Sequence, residues 1–354
     1  MKKLRSVLAV VLCLIMAMSV LSVSASAAEA KTLKILSYNV AGLPIDIDVS
    51  LKQKEIGKII NASDYDIVAV QEDFTYHESL VGEIKTFPYQ TISTGSIPWG
   101  DGLNIFSKTK IYNEYREEWE QLSGVIDGGN DALTPKGFLY AVIELEDGVY
   151  LDFYTIHADA YGDAGSVAAR TDNFRQLAEH INARKTDRPV IVVGDFNAFL
   201  HAKDPNADTG LTPYMLKAAG MKDGWVECHN KGDYEDFSYY INKYGFGYQS
   251  TCGVWDSIER AMFKDGGGVH LEIKELTYDP YSTANLGELS DHPALNLTFT
   301  YEKTEDFVEN SDPLAVKKEN KKENIFRRIY YFFMDIVKII GDWDKLMDLL
   351  GLNK

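Results

Sequence analysis

Cysteine is scarce, with three residues in a chain of 354. Cys13 lies near the N-terminus, which leaves Cys228 and Cys252. The fold is therefore no disulfide scaffold and must be held by its core. Positive charge is also short: 36 Lys and Arg stand against 53 Asp and Glu, a formal net charge of −17. That balance argues against a strongly basic nucleic-acid-binding protein. No internal repeat and no glycine-rich phosphate loop occurs in 31–301. What remains is 45% hydrophobic and 25% charged, with 27 Gly and 10 Pro. This is globular composition, and it excludes a collagen, a low-complexity chain and a wholly disordered one. The length suits one large domain or two small ones.

The two ends differ from the body. Residues 1–27 read as a secretory leader: Lys2, Lys3 and Arg5, an apolar run from Val7 to Val20, then small residues from Ser24 to Ala28. Cleavage is expected after Ala27 or Ala30; an uncleaved anchor is the alternative, for which the run is short. Export would put Cys228 and Cys252 in an oxidising setting, where a disulfide and two separate thiols both stay open. Residues 302–323 are polar, contain Pro313 and end in a Lys-rich run, the pattern of a linker. In 324–354, Ile325, Ile329, Phe332, Phe333, Ile336, Ile340, Trp343, Met347 and Leu350 recur at three- and four-residue steps. This spacing predicts an amphipathic helix. Segment 317–354 carries nine Lys and Arg against six Asp and Glu, whereas 28–316 carries −23. A basic, aromatic helix on a tether suggests docking on an anionic membrane surface, with packing on the body or a second copy as the alternative.

The body, 31–301, alternates short apolar runs with helical periods. Strands are expected at Leu33–Tyr38, Ile67–Gln71, Leu103–Phe106, Phe138–Leu145, Tyr150–Ile156, Val190–Val193, Leu271–Tyr278 and Ala294–Thr300. Helices are expected at Leu51–Asn61, His77–Lys85, Val167–Ala183 and Thr212–Ala219. Polar groups punctuate the strand ends: Asn39, Glu72, His157, then Asp195-Phe196-Asn197, then Asp291-His292 ahead of the last strand. Taken singly, each is an ordinary turn or edge residue. Together, five such ends from neighbouring strands would meet at one rim. Their carboxylates, carboxamides and imidazoles, without a thiolate, suit Mg²⁺ or Mn²⁺, sometimes Ca²⁺.

The set Leu36-Ser37-Tyr38-Asn39, Gln71-Glu72, Ile156-His157, Gly194-Asp195-Phe196-Asn197 and Ser290-Asp291-His292 resembles, in order and spacing, the endonuclease/exonuclease/phosphatase superfamily. Finer features are similar to its neutral-sphingomyelinase branch: Asn39 to Pro44, Gly102 to Lys108, Lys136-Gly137, and His157 to Ala160 followed by Arg170 and Gln176. The resemblance implies a DNase I-like α/β fold, a four-layer α/β/β/α sandwich, with the C-terminal helix appended. Two features depart from the family. Glu259 stands where an Asp is usual, with Asp256 three residues earlier, and Asp73 adds an acid beside Glu72. Asp73 is expected to be a solvated loop acid.

The resemblance also implies roles in hydrolysing a phosphodiester. Glu72 would be the principal metal ligand and Asn39 would support the metal–water shell. Asp195 and Asn197 would orient the attacking water and a phosphate oxygen, and His292 would be the general base. Asp291 would orient or charge-stabilise the imidazole, or add to a second metal position, and His157 would donate to the non-bridging oxygens. Three functions follow. The first is a secreted Mg-dependent phospholipid head-group phosphodiesterase, sphingomyelinase-like; Trp99, Trp255, Phe246 and Tyr248 could touch lipid, with core packing the commoner place for each. The second is an exported nuclease of the same fold, which the −23 body opposes. The third is a membrane-binding module without catalysis.

Overall fold

A computed structural model of the chain describes residues 30–44, 48–124, 131–200, 210–236 and 257–309. The segments expected as a leader, 1–27, and as an amphipathic helix, 324–354, and Cys252, Trp255, Phe246, Tyr248 and Asp256 lie outside the described residues. Two six-stranded sheets carry the body. The first runs, in spatial order, β11 (Val269–Asp279), β14 (Ala294–Lys303), β1 (Lys31–Asn39), β2 (Ile67–Gln71), β4 (Asn104–Ser107) and β3 (Tyr89–Gln90). The second runs β5 (Ile111–Glu118), β6 (Gly137–Glu146), β7 (Val149–His157), β8 (Val190–Asp195), β10 (Glu259–Lys264) and β9 (Lys222–Asp223). A short hairpin, β12 (Ser282–Thr283) and β13 (Gly287–Glu288), precedes β14.

Each sheet is covered on both faces, so its central strands are apolar throughout. Ile67-Val68-Ala69-Val70 of β2 and Val190-Ile191-Val192-Val193 of β8 are buried without alternation. Alternate residues of each strand face the other sheet. Ile35, Ala69, Leu139, Phe153, Ile191, Phe263, Leu297 and Phe299 form that inter-sheet core. The opposite residues face helices. Against the first sheet lie α1 (Val49–Ala62) and α2 (His77–Val81), with Ile56, Ile60 and Leu80 over Leu36, Val68 and Phe106. Against the second lie α3 (Ala164–Asn182) and a π-helix (Leu211–Ala218), with Phe174, Leu177 and Met215 over Tyr154 and Val192. A further short helix, α4 (Gly224–His229), follows β9. Each fully buried side chain of this size contributes ~1.5–3 kcal/mol before conformational entropy is set against it. The result is the expected four-layer α/β/β/α sandwich. No helix among the described residues is long and apolar enough to cross a membrane.

Several boundaries differ from the sequence expectation. The helix expected over His77–Lys85 stops at Val81; past Gly82, the Asn61 side chain accepts from the Lys85 and Thr86 amides and fixes a turn instead. Strand β5 was not foreseen because it is a bulged edge strand rich in Glu and Arg, mostly half-buried. The segment expected as a linker from residue 302 is body at its start. Strand β14 runs through Lys303, the Thr304 amide donates to the Gly268 carbonyl at 2.8 Å, and Phe307 packs on the inter-sheet core.

Candidate active site

Strand register builds the site. In the first sheet, β1 and β2 are parallel, and Asn39 pairs with Gln71 at their ends, so Glu72 leaves β2 beside Asn39. In the second sheet, His157 pairs with Asp195, and Asp195 pairs with Glu259, which sets three polar groups abreast across β7, β8 and β10. Beneath them Gln71 ties the sheets together, donating to Thr155 Oγ1 at 2.9 Å and Ser37 Oγ at 3.2 Å. Ser290 links the last element: its hydroxyl donates to the Asn39 carbonyl at 2.7 Å and accepts from the His292 amide at 3.1 Å.

The expected residues come together. Asn39 Nδ2 donates to Glu72 Oε1 at 3.0 Å and to Asp195 Oδ2 at 3.2 Å. Its Oδ1 accepts from the Ala41 amide at 3.1 Å, so in this arrangement Asn39 aligns two carboxylates. His157 Nε2 lies 3.5 Å from Asp195 Oδ2 and 3.9 Å from Glu72 Oε1. Burial, with Lys136 and His292 nearby, pushes the His157 imidazole well below its usual range, so it is a neutral donor rather than half of an ion pair. Asn197 donates from its backbone to Asp195 Oδ1 at 2.9 Å and from its side chain to the Ala158 carbonyl at 3.1 Å. Glu72 adopts a left-handed φ of 56°. Gly42 permits this turn, because a Cβ there would lie 2.4 Å from the Glu72 carbonyl oxygen.

One sequence reading, that of Asp73, is corrected, and the orienting role offered to Asp291 gains a buried competitor. The buried partner of His292 Nδ1 is Glu259, whose Oε1 lies 2.5 Å away, and Ser257 holds the other carboxylate oxygen. Asp291 stands instead on the solvent side, 79% exposed, with Oδ1 3.9 Å from His292 Nε2. Glu259 stands where the family's Asp is usual, and its extra methylene still lets the carboxylate reach the imidazole. Asp73 is not a solvated acid; it is buried against His77 and Asn104. Arg170 and Gln176 fasten α3 to neighbouring loops: Arg170 donates to the Asp159 and Tyr161 carbonyls, and Gln176 to the Glu118 carbonyl. Lys136, by contrast, is a buried cation paired with Asp131, with Glu72 and Asp195 among the charges acting on it.

The electrostatics favour an added cation. Glu72, Asp195, Glu259 and Asp291 crowd one mouth. Burial pushes Asp195 up to about 6. The His292 imidazole, although burial opposes its charge, is held up to about 10 by Glu259, Asp195 and Asp291. Oxygen donors and excess negative charge fit a hard divalent ion. Donor atoms of Asp195, Glu259 and His292 lie within 4.8 Å of one another. The short Glu259–His292 bond already occupies two of these, which leaves Asp195 and, on the other side of the Asn39 amide, Glu72 as the remaining carboxylates.

The profile of the Endonuclease/Exonuclease/phosphatase family matches residues 36–292. A sphingomyelinase of Mycobacterium bovis is 30% identical over 284 residues, covering 75% of this chain and 52% of that protein. The chain thus spans about half the length of this curated relative. Among solved structures, a beta toxin mutant from Staphylococcus aureus with bound magnesium ions matches at TM-score 0.52 and 18% identity, over 77% of this chain and all of that one. D. rerio TDP2 complexed with single strand DNA product matches at 0.56 and 16%, over 76% and 99%. At these identities the two solved structures share the fold.

Proposed function

The chain belongs to the endonuclease/exonuclease/phosphatase family; from this premise we propose that it is a phosphodiesterase, an exported, Mg-dependent hydrolase of phospholipid head groups, acting on sphingomyelin in the manner of a phospholipase C. The meeting of Asn39, Glu72, His157, Asp195 and His292, drawn from five separate stretches of chain, is the observation that carries the chemistry.

A divalent cation held by Glu72 and Asp195 would neutralise the phosphodiester and the departing oxygen, and its charge would oppose protonation of His292. His292 then takes the proton of the attacking water. The new bond joins that water oxygen to phosphorus, and the bond from phosphorus to the lipid alcohol breaks. Glu259 keeps the imidazole aimed through Nδ1, which leaves Nε2 facing the mouth. His157, neutral and buried, donates from Nε2 towards the charge that builds on the phosphoryl oxygens. Asp195 and Asn197 orient the reacting water and phosphate.

The lipid assignment draws support from the sphingomyelinase relative and from the rim. Ile92 (78% exposed) and Trp99 (56%) project from the loop joining β3 to β4. That loop is built rather than slack: Arg116 donates to both Asp101 oxygens at 2.8 Å and to the Ile92 carbonyl at 2.8 Å. Its base adjoins the site, where the Asp73 amide donates to the Gly102 carbonyl at 2.9 Å. Rigid, exposed aromatic and aliphatic groups beside a hydrolytic mouth suit a bilayer interface. The leader and the basic amphipathic segment add export and attachment to an anionic membrane.

The test is a substrate panel with Mg²⁺: vesicles of sphingomyelin, phosphatidylcholine or a phosphatidylinositol phosphate, beside plasmid DNA. Phosphocholine release from sphingomyelin is the expected outcome. Cleavage of DNA alone would establish the nuclease reading, which the shared fold with D. rerio TDP2 keeps in play. Vesicle binding without turnover of any substrate would establish the non-catalytic reading.

A further inference from the structure

We infer that Asp73 and His77 are positioning residues: with Asn104 they lock the peptide that carries Glu72, so that its carboxylate is presented to a divalent cation. This rests on the reading of Glu72 as a metal ligand and extends it to residues that touch neither metal nor substrate.

Glu72 has left β2 and sits at φ 56°, a conformation unfavourable for a side chain with a Cβ. Something must hold it there. One face of the turn is fixed by the β1–α1 loop, whose Gly42 amide donates to the Glu72 carbonyl at 3.0 Å. The other face is fixed through Asp73. Its amide donates to the Gly102 carbonyl. Its Oδ2 accepts from His77 Nδ1 at 2.6 Å and from Asn104 Nδ2 at 2.8 Å. Three elements thus converge on the residue after Glu72: α2, β4 and the loop entering β4.

The chemistry is more costly than a turn requires. Asp73 is 1% exposed, and its Oδ1 has no hydrogen-bond partner among the described residues. A buried carboxylate carries a desolvation penalty that Asn or Ser would largely avoid. The charge is used, however. Although burial opposes it, the Asp73 carboxylate holds the His77 imidazole above its usual range, so a charge-assisted bond pins the first residue of α2 to the turn. Partners behind a metal ligand orient it, and their loss typically lowers metal affinity by about 10–100-fold. The spacing Glu72-Asp73-x-x-x-His77 writes this clamp into the sequence as an i,i+4 pair across the start of α2.

The experiment measures Mn²⁺ binding directly to the full chain, by calorimetry or by the EPR signal of free Mn²⁺, with thermal melts to confirm folding. Glu72→Gln sets the scale for loss of the ligand. Asp73→Asn is expected to weaken Mn²⁺ binding about tenfold or more. His77→Ala should weaken it by a smaller factor, and His77→Gln, which keeps a donor, should recover most of the loss. His77 is part-exposed, so its variants carry the test where Asp73→Asn does not fold. Folded Asp73→Asn or His77→Ala with wild-type Mn²⁺ affinity, beside a weakened Glu72→Gln, would overturn the clamp alone. Unaltered binding by Glu72→Gln would instead remove the ligand assignment, and the clamp with it.

Discussion

The two sheets supply the site in different ways. The first sheet contributes Asn39 at the last position of β1, Glu72 just past β2 and His292 just before β14. Glu72 and His292 each keep 17% of the side chain exposed. The second sheet contributes His157, Asp195 and Glu259 from within its strands, paired in register and at most 3% exposed. Residues beyond a strand end can turn towards solvent and substrate, whereas residues inside a ladder are fixed by it and give up hydration. The first sheet therefore presents the base and the outer carboxylate near solvent, and the second holds its own reacting groups, His157 and Asp195, in a buried frame of charge that sets how the others ionise.

The comparison breaks first at His292. His292→Gln keeps a donor towards Glu259 but removes the base, and kcat should fall about 10²–10⁴-fold with the melting temperature little changed. Glu259→Gln should cost at least about tenfold, because the imidazole loses the charge that orients it. The double variant should be no worse than His292→Gln, since the two residues act as one unit. Additive losses in kcat would separate the base from the frame.

The frame is sharpened by a stability measurement. Asp159 follows β7 and is fully buried; its Oδ2 accepts from the Ser123 amide at 2.6 Å, and its Oδ1 has no hydrogen-bond partner among the described residues. Burial, then Asp131, pushes it up to about 7. An acid raised in the folded state contributes stability below its unfolded value, near 4, and loses it as pH climbs through about 7. Asp159→Asn should therefore melt several degrees above wild type at pH 8 and with it below pH 4. An equal offset at both pH values would mean that the carboxylate is not electrostatically costly.

Much of this was legible beforehand. The apolar runs of β1, β2, β7 and β8 announced their strands, and the polar residue closing each one announced the rim. Asn39, Glu72, His157, Asp195 and His292 were readable because each abuts such a run. Roles set by tertiary pairing are harder to read. Glu259 is recognisable at the family's Asp position, but its bond to His292, and the neutralisation of its neighbour Arg260 by Asp223 at 2.8 Å, come only from the fold. Asp73 reads as a loop acid because one partner, Asn104, is thirty-one residues away, and the i,i+4 pair it makes with His77 straddles a helix start where the sequence shows no burial.

The smallest effect discriminates most finely between the two acids beside His292. Sequence order points to its neighbour Asp291, whereas geometry points to Glu259, thirty-three residues away along the chain. Asp291 is solvent-exposed, and its 3.9 Å approach to Nε2 is too long for a hydrogen bond. In water such a charge interacts weakly with its neighbour. Asp291→Asn should thus change kcat by less than about threefold and leave folding stability within ~0.5 kcal/mol. A loss comparable to that of Glu259→Gln would move the orienting role to the exposed acid, and the division between a solvent-facing half and a buried frame would no longer hold at its central residue.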